Sequence, residues 1–271
     1  MDHASDGWWI AAIVIIWSAT IIITVKMAQR GRKFYIRRIA GLNAIDEAVG
    51  RATEMGRPIL MVPGIGDIGV IVMQALSIFS YIAKTAAQFG NRILLPTGGG
   101  TGPAIYTVAD EVIRESYASV GRAEAYDPDS VRFISDRQFA FAAGVAGMIY
   151  REKVAASFLF GEFYAEALIF AEAGQMVGAI QVAGTTQTTQ IPFLIASCDY
   201  TIIGDEYYAA SAYISREPTL LGSLAGQDIA KATIWLLVLV GTIGLSIYSA
   251  SHGQAAAAKE FFLAKWLTPG G

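Results

Sequence analysis

A glycine-rich loop follows the first short apolar run of the central chain. Gly64, Gly66 and Gly69 have the G-x-G-x-x-G spacing, and they come after the apolar run 59–62 and before a helical stretch. Glycines at this spacing let backbone N–H groups approach a pyrophosphate at a helix N-terminus. Asp67 inside the loop would repel a phosphate, and no acid ends the next strand to bind a ribose. A tightly packed glycine turn is therefore the favoured interpretation, and a nucleotide site is the alternative.

A second glycine-rich loop runs through Gly98, Gly99, Gly100, Thr101 and Gly102. Consecutive N–H groups of such a loop can form an anion nest, to which Thr101 adds a hydroxyl. The loop resembles the phosphate-binding signature of tubulins and bacterial division GTPases, which reads GGGTGTG. Pro103 departs from that signature and removes one N–H donor. We interpret the likeness as local convergence.

Polar side chains follow the remaining apolar runs. Acids in such positions could coordinate a hard cation or act as acid and base. Each of them also lies near the start of a predicted helix, where a carboxylate caps free N–H groups, and this capping role is the favoured interpretation. The candidate ligand-binding residues of these loops are Asp136, Arg137, Glu162, Thr185, Thr186, Asp205 and Glu206.

The chain offers few residues for nucleophilic or metal chemistry. Cys198 is the only cysteine, and the two histidines, His3 and His252, lie near the ends of the chain. A multi-cysteine zinc site and a histidine base in the centre are therefore excluded. The sequence identifies no catalytic residue, no metal site and no cofactor.

The elements that must position these loops are alternating strands and helices. Short apolar runs alternate with helical stretches, which predicts βαβ units in a Rossmann-like α/β fold. The expected parallel sheet has about six strands flanked by helices, with ligands bound at the carboxyl ends of the strands. The predicted strands cover residues 59–62, 93–95, 131–134, 157–160, 177–182 and 200–203.

Two uncharged runs of 19 residues, 7–25 and 232–250, are long enough to span a bilayer as helices. Lys26 and five further basic residues follow the first run, so the positive-inside rule places residues 26–231 in the cytoplasm. Residues 1–6 and the tail 251–271, which contains a short amphipathic helix, are then external. The nearly uncharged stretch 68–83 is expected to be a buried or interfacial helix, with membrane insertion as the alternative.

Charge argues against nucleic acid as a partner. Residues 39–231 contain 12 lysines and arginines against 20 acids, a net charge of −8. Nucleic-acid binding surfaces are basic because they must neutralise phosphates. The expected partners are instead the lipid bilayer and either further copies of the chain or other membrane subunits.

Five stretches resemble an uncharacterised family of prokaryotic membrane proteins, defined as a domain of unknown function. The stretches are VRFISDR (131–137), GEFY (161–164), GTTQ (184–187), GDEYY (204–208) and LGSLAGQD (221–228). The resemblance covers most of the chain. It implies an α/β domain anchored in the prokaryotic cytoplasmic membrane, and it implies no activity.

Two functions follow from these patterns. The first is a membrane-anchored scaffold or subunit that assembles through its α/β domain and its spans. The second is a domain, binding or enzymatic, for a nucleotide or phosphorylated small molecule at the strand ends. The scaffold is favoured because no catalytic set is present, although this architecture serves many functions.

Overall fold

A computed structural model describes residues 8–32, 34, 40–99, 101–215 and 217–252. The chain forms two compact units. The first unit contains the helices α1 (Trp8–Gln29) and α9 (Pro218–His252), and the second unit is the α/β domain within Ile36–Arg216. Gly100, the segments 1–7 and 253–271, and three residues of the predicted basic cluster (Lys33, Arg37, Arg38) lie outside the described residues.

The α/β domain is built on a parallel sheet of six strands in the order β3-β2-β1-β4-β5-β6. The four inner strands are almost entirely buried, because helices cover both faces of the sheet. This confirms the predicted α/β fold class. The strands are β1 (Ile59–Gly64), β2 (Ile93–Gly98), β3 (Val131–Ser135), β4 (Ala156–Glu162), β5 (Ile180–Thr185) and β6 (Tyr200–Ile203).

In the described part of the domain, seven helices form the two outer layers. One apolar core lies between the sheet and α2, α3, α4 and α8, and a second core lies between the sheet and α5, α6 and α7. Alternation along the strands divides their side chains between the two cores, as at Ile59 and Leu60. The helices are α2 (Ala40–Met55), α3 (Val70–Phe89), α4 (Gly102–Ser119), α5 (Gln138–Glu152), α6 (Glu166–Met176), α7 (Ile191–Ser197) and α8 (Asp205–Ser215).

Two element boundaries differ from the sequence expectation in ways that matter for the loops. β4 continues through Glu162, and α6 begins only at Glu166. The expectation that Glu162 caps a helix is therefore wrong, since its carboxylate belongs to the end of a strand. Asp136 caps no helix either, because the N-cap of α5 is Arg137. Asp205 and Glu206 do lie in the first turn of α8.

In the first unit, α1 and α9 pack against each other along α1. They are in close contact at two glycines of α9, where a Cβ on Gly222 would lie 2.5 Å from Val25 Cα and one on Gly226 would lie 2.9 Å from Ile21 Cα. Among the residues that the structure describes, three helices are long and apolar enough to cross a membrane: α1, α3 and α9. Of these, α3 is half buried in the α/β domain, whereas large apolar side chains of α1 and α9 are exposed.

Candidate functional site

The strand order places a crevice between the carboxyl ends of β1 and β4. The chain leaves β1 toward α3 on one face of the sheet, and it leaves β4 toward α6 on the other face. Two loops that diverge in this way open a topological switch point, where open α/β sheets bind their ligands. The residues to consider first are therefore those of the 64–69 loop and those that follow β4.

The glycines of the first loop are packed against the end of β4. Gly64 has a φ of +81°, and a Cβ there would lie 2.0 Å from the backbone oxygen of Glu162. A Cβ on Gly66 would lie 2.5 Å from Glu162 Oε2. Gly69 is different, because the nearest atom to its Cβ position is 3.7 Å away. The spacing that resembles a dinucleotide loop is thus explained at Gly64 and Gly66 by close packing on Glu162.

The Glu162 carboxylate is the centre of a polar cluster at this crevice. Its Oε1 accepts hydrogen bonds from Tyr164 Oη at 2.7 Å and from Gln187 Nε2 at 2.9 Å. The hydrogen bond to Glu162, with a smaller contribution from burial, raises the pKa of Tyr164. A carboxylate beside Gly66 repels phosphate but can accept hydrogen bonds from hydroxyl or amino groups.

A second carboxylate, that of Glu166, is fully buried. Its Oε2 accepts a hydrogen bond of 2.6 Å from Gln138 Nε2, and its Oε1 accepts one of 3.0 Å from the backbone N–H of Tyr164. These bonds connect the start of α5 to the start of α6. They also hold the backbone at Tyr164, whose hydroxyl reaches Glu162.

The second glycine loop packs against the first glycine loop. A Cβ on Gly99, whose φ is +86°, would lie 2.5 Å from the backbone oxygen of Ile65, and Gly98 packs against the ring of Phe141. Thr101 Oγ1 donates a hydrogen bond of 3.4 Å to the backbone oxygen of Gly66. The Thr101 hydroxyl therefore ties the two loops together.

The remaining candidates are spread along the carboxyl edge of the sheet. Asp136 and Arg137 follow β3, two strands from β1, and Asp205 and Glu206 follow β6, three strands from β1. At about 4.8 Å per strand, the two groups are roughly 24 Å apart. Thr185 and Thr186 lie next to β4, where the buried Thr185 Oγ1 accepts a hydrogen bond from the Gln187 N–H. Glu162 thus contacts Gly64 and Gly66 directly, whereas Thr101 is connected to it through Gly66 and Thr185 through Gln187.

Sequence reasoning missed the partnership of Gln138 with Glu166. The only sequence signal for either residue is that Gln138 follows the end of β3 by three residues and Glu166 follows the end of β4 by four. Within the described part of the chain, no three His, Cys, Asp or Glu residues are grouped closely enough to hold a metal ion. The polar groups of the crevice are therefore the Glu162 carboxylate, which accepts hydrogen bonds, and the Gln187 amide.

Comparison with known proteins bears on the identity of this fold. Residues 3–256 match the family described as a domain of unknown function (DUF6754). The chain belongs to this family. The match covers nearly the whole chain, including both apolar helices and the α/β domain, and confirms the expectation of an uncharacterised family. No curated protein and no solved structure matches the chain.

Proposed function

We propose that this protein is a membrane-anchored α/β module that acts as an oligomeric scaffold or as a subunit of a membrane complex. The observation that carries the proposal is the exposed apolar surface of α9. Trp235 is 75% exposed, and the side chains from Leu236 to Val240 are all more than half exposed. A soluble protein rarely exposes such a contiguous apolar surface, whereas a bilayer covers it.

The α/β domain has an apolar surface of its own. On α6, Leu168 and Met176 are exposed, and Met176 is 73% exposed. On α7, which packs beside α6, Phe193 and Ile195 are about half exposed. Exposed apolar side chains on two neighbouring helices are suited to contact a partner protein. This supports assembly, with the packed glycine loops serving as turns of the scaffold.

The finer proposal concerns sidedness. The α/β domain lies in the cytoplasm of a prokaryote and both termini lie outside the cytoplasmic membrane, because the basic residues follow the first span. Labelling with an impermeant maleimide tests this in a Cys198→Ser background. Ser5→Cys should react in intact cells, and Ala123→Cys should react only after lysis. Labelling of Ala123→Cys from outside contradicts the orientation.

The scaffold proposal is tested with the full chain. Carbonate washing of native membranes should leave the protein in the pellet, because apolar helices resist extraction. Light scattering in mild detergent should then give a mass of at least two chains, or of a complex with a partner. A protein that washes off, or a monomer free of partners, would contradict the proposal.

A second candidate function is favoured by the position of Glu162. An acceptor carboxylate at a switch point is suited to hydroxyl groups of a nucleoside or sugar ligand, as acids in related folds bind ribose. Thermal stabilisation by a panel of nucleosides, nucleotides and sugar phosphates tests this. Glu162→Gln should abolish the response, and Glu115→Gln, on the exposed surface of α4, should retain it. If the wild-type protein responds to none of these compounds, the second candidate function is refuted and the scaffold proposal remains.

A further inference from the structure

The two outer layers of the α/β domain differ in charge at their exposed positions. On α2 and α4, in one layer, charged side chains are frequent at these positions: they are Asp46, Glu47, Arg51, Glu54, Glu111, Arg114 and Glu115. On α5, α6 and α7, which form the other layer and are described throughout, the exposed positions hold two charged residues, Arg151 and Glu172. We call the large side chains exposed on these three helices the neutral face: they are Phe139, Tyr150, Leu168, Ile169, Met176, Phe193 and Ile195.

The neutral face is continuous and close to the size of a protein interface. Helix α6 packs against both α5 and α7. Phe139 is 64% exposed and Met176 is 73% exposed, and the other large side chains of the face are 38–52% exposed. At about 200 Å² for a complete large side chain, the face presents roughly 700 Å² of apolar surface. A stable interface takes about 800 Å² from each partner, whereas the largest apolar patch of a monomer is typically about 300–600 Å².

Charge favours a protein over a bilayer as the occupant of this face. Residues 39–231 have a net charge of −8, so the anionic surface of a membrane repels the domain. Helices that lie on a membrane carry lysines and arginines beside their apolar face, whereas Glu172 lies on the same exposed side of α6 as Leu168 and Met176. A second copy of the chain has the same net charge, and the repulsion between two copies is weakest where their neutral faces meet.

The two charged residues of this layer are complementary between two copies. Within the described residues, neither Arg151 nor Glu172 makes a hydrogen bond or an ion pair. The hydrogen bond between Gln138 and Glu166 sets the starts of α5 and α6 level with each other. Arg151 lies 13 residues beyond Gln138 and Glu172 lies 6 residues beyond Glu166, so the two are about 10 Å apart along the helix axes. A two-fold axis normal to the face and midway between them makes the helices of two copies antiparallel and sets each Arg151 opposite the second copy's Glu172.

We propose that the neutral face is the contact surface between two copies of this chain. The inference rests on the proposed scaffold function and deepens it, because it names both the partner and the surface. The contact is isologous, which is the arrangement of the commonest homo-oligomers, the two-fold dimers. Its centre is apolar, and its exposed charges pair between the copies.

Cross-linking in native membranes tests this surface in a Cys198→Ser background. Met176→Cys lies near the two-fold axis, because the axis is about 5 Å beyond Glu172 along α6 and Met176 follows Glu172 by four residues. Ser119→Cys is the matched control, since Ser119 is likewise the exposed last residue of its helix but lies on α4. A short bismaleimide should convert Met176→Cys to a covalent dimer and leave Ser119→Cys as monomer. Equal cross-linking of the two variants, or none for Met176→Cys, would overturn the proposal.

Charge reversal tests the pairing of Arg151 with Glu172. In the Met176→Cys protein, Arg151→Glu and Glu172→Arg should each lower the cross-linked fraction about tenfold, because like charges then face each other. The double reversal restores complementary pairs and should recover most of the dimer. A double variant as monomeric as the single ones contradicts the two-fold arrangement.

Light scattering of the full chain in mild detergent separates this proposal from the scaffold function. Met176→Asp should give the mass of one chain where the wild type gives two, and Ser119→Asp, the same change of charge on α4, should still give two. A wild type that is monomeric and free of partners refutes the scaffold function itself. A wild type bound only to a different protein, or a dimer that Met176→Asp leaves intact, refutes only the contact through the neutral face.

Discussion

The packing of the first glycine loop makes a quantitative prediction for Gly64→Ala. The new Cβ would lie 2.0 Å from the backbone oxygen of Glu162, and the residue would have to keep a φ of +81°. A left-handed conformation costs an alanine about 1–2 kcal/mol, and overpacking typically costs about 1–3 kcal/mol. We therefore expect a loss of about 2–5 kcal/mol in the free energy of unfolding.

The assay is thermal unfolding of the full chain in mild detergent, followed by circular dichroism. In a domain of this size, the loss corresponds to a fall of roughly 4–20 °C in Tm. Gly69→Ala is the matched control in the same loop, since its φ is −147° and its nearest neighbour is 3.7 Å away. Because Gly69 is the N-cap of α3, where alanine is less favourable than glycine, we expect the control to lower the free energy of unfolding by no more than about 1 kcal/mol. A Gly64→Ala protein as stable as the control would refute the close-packing explanation of the spacing.

Three further predictions concern buried polar groups. Gln138→Ala should cost about 1.5–3 kcal/mol of stability in denaturant unfolding, because it removes a bond to the buried Glu166 carboxylate, and Gln187→Ala, whose partner Glu162 is half-buried, should cost less. Burial raises the pKa of the Cys198 thiol to about 11, so alkylation at about pH 8 should be slow in the folded protein and rapid after denaturation. Burial likewise raises the pKa of Tyr117 to about 12 from 10.0, so the unfolded chain deprotonates first. Stability should then fall as pH rises from about 10 toward 12, and Tyr117→Phe should lessen that fall; equal stability at pH 9 and 11 would contradict this.

Local sequence signals were sufficient for the fold class. Runs such as 59–62 and 93–95 are uniformly apolar because their strands are buried on both faces, and this signal needs no knowledge of the neighbouring strands. The same holds for the two long apolar helices, whose length and lack of charge are properties of contiguous residues. Helix α9 nevertheless begins at Pro218, well before the predicted span at residue 232, because charges at Asp228 and Lys231 do not interrupt a helix.

Strand order and helix register were decided only by the tertiary structure. In the sequence, Asp136 and Asp205 both follow a predicted strand, and nothing there shows how far apart they lie. The order β3-β2-β1-β4-β5-β6 places them far apart, and it brings Glu162 into contact with Gly66. Likewise, nothing near Gly222 and Gly226 in the chain shows that they pack against α1, since their neighbours Val25 and Ile21 are far away in the sequence. Contacts between residues distant in the chain have no periodic signature, because they depend on which surfaces fit together once the local elements have formed.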